Sequence, residues 1–122
     1  MIRIGLDLVE LKRVEAIYRR YQSKLGRYLF PNELAFLEGC REKAVGLAKL
    51  LALKEAIFKA MGLGWFGLTG WKSVKLAVKD GQWTMDPESS MMNHFKHKRI
   101  KKVWMDIKSS SEWVLARVWC FG

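Results

Sequence analysis

Leu47-Ala48-Lys49-Leu50-Leu51-Ala52-Leu53-Lys54-Glu55-Ala56-Ile57-Phe58-Lys59-Ala60-Met61, closed by Gly62-Leu63-Gly64, is the stretch on which the fold turns. It contains no proline and is rich in alanine, leucine and lysine. It ends where a glycine can take the left-handed cap, so it reads as a helix. At about 100° per residue, Leu47, Leu51 and Phe58 fall within about 40° of one another, and Leu50, Leu53, Ile57 and Met61 widen the arc. Lys54 falls inside that apolar arc, where a lysine must snorkel, pair or work. A narrower second face carries Ala48, Ala52, Glu55 and Lys59, so something bulky could approach between its two charges. By spacing alone, Glu55 and Lys59 are an i,i+4 pair worth a few tenths of a kcal/mol. The helix by itself leaves open whether they do more.

Toward the N-terminus, IRIGLDLVEL (2–11) alternates Ile2, Ile4, Leu6 and Leu8 with Arg3, Gly5, Asp7 and Val9, the period of a strand. Asp7 therefore points away from the Leu6/Leu8 face, and Glu10 points opposite to Asp7 unless a bulge intervenes. A strand carboxylate is ordinarily solvated, but Gly5 lets backbone or a ligand come close on the same face. KRVEAIYRRY (12–21) reads as a helix with Val14, Ile17, Tyr18 and Tyr21 on one side. Its Arg13, Arg19 and Arg20 begin a basic region that suits either solvent or a docking partner. A short helix follows Phe30-Pro31-Asn32-Glu33, with proline near its first turn, and runs to about Gly39.

Toward the C-terminus, WKSVKLAVK (71–79) alternates Val74, Leu76 and Val78 with polar neighbours, and Asp80-Gly81 is a hairpin signal leading into Gln82-Trp83-Thr84. Val103 to Lys108 and Trp113 to Phe121 read as a final pair of strands. His94 and His97 sit among lysines and arginine with no third ligand nearby, which points to a solvated surface rather than a metal site.

The 122 residues fit one domain spanning 1–122. Six Trp, six Phe and three Tyr are generous for this length and suggest apolar surface buried against another subunit. A net charge of +10 calls for an acidic partner. No apolar run approaches the roughly 18 residues of a membrane span. The first residues lead straight into a strand rather than a signal peptide, and Cys40 and Cys120 form no CxxC pattern. A cytosolic protein with reduced thiols is expected.

Three blocks occur in order. They are Gly5-Leu6-Asp7-Leu8-Val9-Glu10-Leu11 with Arg13, then Phe30-x-x-Glu33, then Lys54-Glu55-Ala56-x-x-Lys59-Ala60-x-Gly62-x-Gly64. Together they resemble the holo-acyl-carrier-protein synthases, the short, trimeric 4'-phosphopantetheinyl transferases of fatty-acid synthesis. The resemblance covers at least residues 2 to 80. It implies transfer of the phosphopantetheine arm of coenzyme A to a serine of apo-acyl carrier protein, with adenosine 3',5'-bisphosphate as the other product. It further implies Mg2+ on Asp7 and Glu55, with Glu55 also the acceptor of the serine proton. Lys59 and Lys54 would neutralise phosphate charge, and Gly62 and Gly64 would let backbone approach the coenzyme. Arg13, Ile17 and Arg20 would form the docking face for the acidic carrier protein, and the assembly would be a homotrimer. The fold expected is α+β: an antiparallel sheet packed on the long helix, with shorter helices on the basic side.

The sequence departs from the family pattern in two places. The family's C-terminal Ser-His pair is replaced by Ser109-Ser110-Ser111-Glu112, and its arginine four residues before Lys54 is replaced by Leu50, beside Lys49. Both bear on coenzyme A rather than on the metal. A non-catalytic homologue that still binds carrier protein would accommodate those losses. A nucleic-acid-binding module would explain the charge and the tryptophans, but would leave Asp7 and Glu55 unused and has no recognised motif. Neither nucleic acid nor a membrane is therefore expected as a partner.

Overall fold

The structure, a computed structural model, describes residues 1–63 and 70–122. Strand β1 (Ile2–Glu10) leads into helix α1 (Leu11–Tyr21), a 3-10 segment (Gln22–Arg27), α2 (Pro31–Gly39) and the long α3 (Lys43–Ala60). After a 3-10 turn at Trp71–Ser73 come β2 (Leu76–Lys79), β3 (Gln82–Met85), the short α4 (Met92–His97), β4 (Lys102–Ser109) and β5 (Trp113–Phe121). The protein is α+β. Among the described residues the strands form a three-stranded antiparallel sheet in the order β1-β5-β4 and the separate β2-β3 hairpin. The hairpin turns through Asp80 (φ 51°) and Gly81 (φ 76°), the paired left-handed residues that match strand twist. The alternation expected from Trp71 begins only at Leu76, because Trp71–Ser73 coil into the 3-10 turn.

Helix α3 is buried on almost every side. Leu47, Leu50, Leu53 and Ile57 are fully covered, and so are Ala48, Ala52 and Ala56. The second face is therefore closed at its alanines and opens only at Glu55 and Lys59. A helix apolar nearly all round belongs inside a fold, and α3 lies against β1, β5 and α1. Its end is a Schellman-type cap. Leu63 N donates to Phe58 O at 3.0 Å and Gly62 N to Lys59 O at 3.1 Å, with Gly62 at φ 70°.

Strand β1 lies directly on α3 at Gly5, where an added Cβ would come within 1.9 Å of the Ala56 carbonyl oxygen. The inward parity of β1 is thus Arg3, Gly5, Asp7 and Val9. Its apolar parity faces out: Ile2, Ile4, Leu6 and Leu8 are each more than half exposed. Their cross-strand partners Trp119 and Leu115 share that outer face, where Trp104 stands edge-on to Trp119 and Arg117 forks onto Asp106.

Candidate active site

A cleft of about 650 Å³ opens where the C-terminal half of β1, the first turns of α1 and the middle of α3 meet. Pairing with β5 sets Asp7 opposite Ala116 and turns its side chain toward α3. Glu55 and Lys59, one helical turn apart, enter from the open part of α3. Lys59 Nζ donates to Asp7 Oδ1 at 2.7 Å, joining strand to helix across the cleft. The Lys59 side chain is about half exposed and that of Asp7 only 12% exposed, so the ammonium is open to solvent while the carboxylate is largely shielded.

Glu55 is the strained member. Its Oε1 is buried and accepts no hydrogen bond among the described residues. Burial first, and then the nearby Asp7 charge, push its carboxyl above the ordinary carboxylate range. The Trp71 indole N–H and the Lys59 ammonium pull the other way. Trp71 lines the same cleft, yet its Nε1 closes no hydrogen bond of normal geometry among the described residues.

Arg13 and Ile17 line the cleft from α1. Arg20 continues the same helical stripe beyond it, exposed and stacked on Tyr21 with 5.4 Å between guanidinium carbon and ring centroid. Asp7, Glu55, Lys59, Arg13 and Ile17 are therefore gathered at one site, with Arg20 alongside.

Lys54 is not at that site. It is fully buried, and its ammonium donates to Glu33 Oε1 at 2.9 Å and to the carbonyls of Trp71 and Val74 at 2.7 Å each. An ammonium has three donors, and all three are used. The expectation that Lys54 binds phosphate is corrected accordingly: it pairs. Desolvation lowers its pKa to about 8, with Glu33 opposing that shift. Gly62 is likewise placed as the helix cap, away from the cleft, and Gly64 lies outside the described residues.

Sequence reasoning gave no site role to Glu33, Trp71 or Trp113. Glu33 accepts from Phe30 N, Lys54 Nζ and Leu76 N, each at 2.9 Å, and so ties α2, α3 and β2 together. Its signal was present: a glutamate three residues after the helix start can reach back to the first turn, and a buried lysine must have a carboxylate. Trp113, the first residue of β5, lines the cleft just after the loop at residues 110–112. Ser110 Oγ there accepts from Trp113 N, and Glu112 O accepts from Leu11 N at the start of α1. Among the described residues no cluster of three metal-ligating side chains occurs and no helix is long and apolar enough to cross a membrane. His94 and His97 are exposed on α4.

A family model for the 4'-phosphopantetheinyl transferase superfamily matches residues 3–118. The chain belongs to that superfamily. Similar members include the holo-[acyl-carrier-protein] synthase of Moorella thermoacetica, 31% identical over 81 residues. The enzyme of Chlorobium limicola is 36% identical over 76 residues. These matches cover 66% and 62% of this chain, but only 62% and 60% of those relatives. Solved superfamily structures extend the likeness. The holo-[acyl-carrier-protein] synthase of Neisseria meningitidis aligns over 100% of both chains with a TM-score of 0.86 and 28% identity. The Helicobacter pylori synthase, solved in complex with coenzyme A, aligns over 94% of this chain and 96% of its own, with a TM-score of 0.74 and 25% identity.

Proposed function

We propose that the protein is a Mg2+-dependent holo-[acyl-carrier-protein] synthase acting in the cytoplasm, in fatty-acid synthesis. The observation that carries this reading is the meeting of Asp7, Glu55 and Lys59 in one cleft whose rim is the basic stripe of α1.

In the reaction, a serine oxygen of the carrier protein attacks the pyrophosphate phosphorus that bears the pantetheine arm. The bond from that phosphorus to the bridging oxygen breaks, and adenosine 3',5'-bisphosphate leaves. The serine proton passes to the Glu55 carboxylate, whose raised pKa makes it a better base than an ordinary glutamate. Lys59, open to solvent beside Asp7, meets the phosphate charge as an ammonium donor. Arg13 and Ile17 hold the acidic carrier protein so that the serine stands in line with the leaving oxygen. Two carboxylates, one with an unpartnered buried oxygen, fit a hard divalent cation that takes its remaining ligands from water and phosphate. Held by Asp7 and Glu55, such a Mg2+ would supply charge neutralisation for the pyrophosphate.

The exposed apolar face of the β1-β5-β4 sheet supports a homotrimer. A stripe of four branched aliphatic residues beside Trp104 and Trp119 suits contact with further copies of the chain. Mass spectrometry of apo-carrier protein incubated with this protein, coenzyme A and Mg2+ tests the reading: the expected outcome is addition of one phosphopantetheine mass. An unchanged carrier mass would overturn it.

A further inference from the structure

Two buried polar atoms that line the cleft have no partner among the described residues: Oε1 of Glu55 and Nε1 of Trp71. One is an acceptor, and the other is a donor that cannot accept. Trp71 is only 5% exposed, and its position is fixed twice. Its carbonyl accepts from Lys54 Nζ at 2.7 Å. Its ring stands edge-on to Tyr28 with centroids 6.3 Å apart, and Tyr28 stands edge-on to Tyr21 at 6.1 Å. Buried N–H groups are rarely left without an acceptor. The Glu55 carboxylate lines the same cleft and already feels the Trp71 N–H; a carboxylate turns easily about its last bond, whereas the indole is locked.

We propose that Trp71 is a positioning residue: its indole N–H donates to one oxygen of the Glu55 carboxylate and leaves the other aimed at the reacting atoms. Two neighbours on α3 then act on the same tryptophan, Lys54 holding its main chain and Glu55 receiving its side chain. Hydrogen bonds of this kind fix the orientation of a functional carboxylate, and losing one typically costs about 10–100-fold in activity or metal affinity. The catalytic consequence rests on the transferase reading, whereas the hydrogen bond rests on the two buried, unpartnered atoms that share one cleft.

The test begins with the full chain labelled with 15N, whose six tryptophans give six indole cross-peaks. The Trp71 peak is assigned by its loss in Trp71→Phe, or by through-bond assignment should that variant fail to fold. Glu55→Ala is expected to move the Trp71 indole peak further than any other indole peak. In steady-state assays, Trp71→Phe is expected to lower kcat about 10–100-fold while leaving both KM values within roughly twofold. An indole peak unmoved by Glu55→Ala would overturn the proposal, and so would a Trp71→Phe variant with raised KM and intact kcat. If the wild-type protein transfers nothing, the transferase reading fails by its own assay and takes the catalytic role with it. The NMR result still decides the hydrogen bond, so the two failures are told apart.

Discussion

Lys54 and Lys59 stand five residues apart on α3 and each meets a carboxylate, at 2.9 Å and 2.7 Å. By distance the two pairs are alike, but they differ in what surrounds them. Lys54 and Glu33 are sealed from solvent and knit α2, α3 and the β2-β3 hairpin into one body, with every ammonium donor satisfied by protein. Lys59 is half in water and, among the described residues, forms its ion pair with Asp7. A buried pair contributes little net stability when intact but much is lost when one partner is removed. An exposed pair is worth at most about 1 kcal/mol and is free to trade partners. The first arrangement serves architecture, and the second leaves a cation available for a substrate.

Breaking the buried pair should have the largest effect. Glu33→Gln leaves the Lys54 ammonium without its counter-charge and is expected to cost about 3–5 kcal/mol in equilibrium denaturation. A loss under 1 kcal/mol would show that the pair is not structural. The matching change outside, Lys59→Met, should leave stability within about 1 kcal/mol of wild type while lowering transfer roughly 100-fold, about 2.7 kcal/mol in the barrier. If Lys59→Met unfolded the protein and Glu33→Gln only slowed it, the contrast would be reversed. Next in size, Arg13→Glu should raise KM for carrier protein about tenfold, near 1.4 kcal/mol, with KM for coenzyme A little changed. Equal damage to both substrates would remove α1 as the docking face.

The smallest effect on stability sharpens the comparison at Glu55. Its folded pKa is raised, so its contribution to stability is fully present below the unfolded carboxylate pKa and is lost as pH rises through the folded value. Glu55→Gln should therefore raise the thermal midpoint at pH 8, and the gain should shrink as pH falls toward the ordinary carboxylate range. The same substitution should abolish transfer. Added Mg2+ should raise the midpoint of the wild type more than that of Glu55→Gln. A variant less stable than wild type at pH 8 would mean that the buried carboxylate is already well accommodated.

Much of this was legible in the chain. The period of residues 47–61, the Asp80-Gly81 turn and the proline at the start of α2 each act locally, and each element formed where its local signal lies. The alternation in β1 gave the correct parity for Asp7 but could not say which face is inward. Apolar residues on one face ordinarily turn inward; here the glycine side does, because only a bare backbone fits against Ala56. Lys54 was recognised as anomalous from its place on the wheel, but its partner lies 21 residues away in sequence, beyond any periodicity. Asp7, Glu55 and Lys59 were named from family resemblance. Trp71 escaped because a tryptophan reads as core until its nitrogen is placed.

Gly5 has one more consequence. Because β1 rests on α3 through main-chain atoms, the gap between Asp7 and Glu55 is set by two backbones with no side chain as a shim between them. Even an alanine at position 5 would act as a wedge, opening that distance from behind.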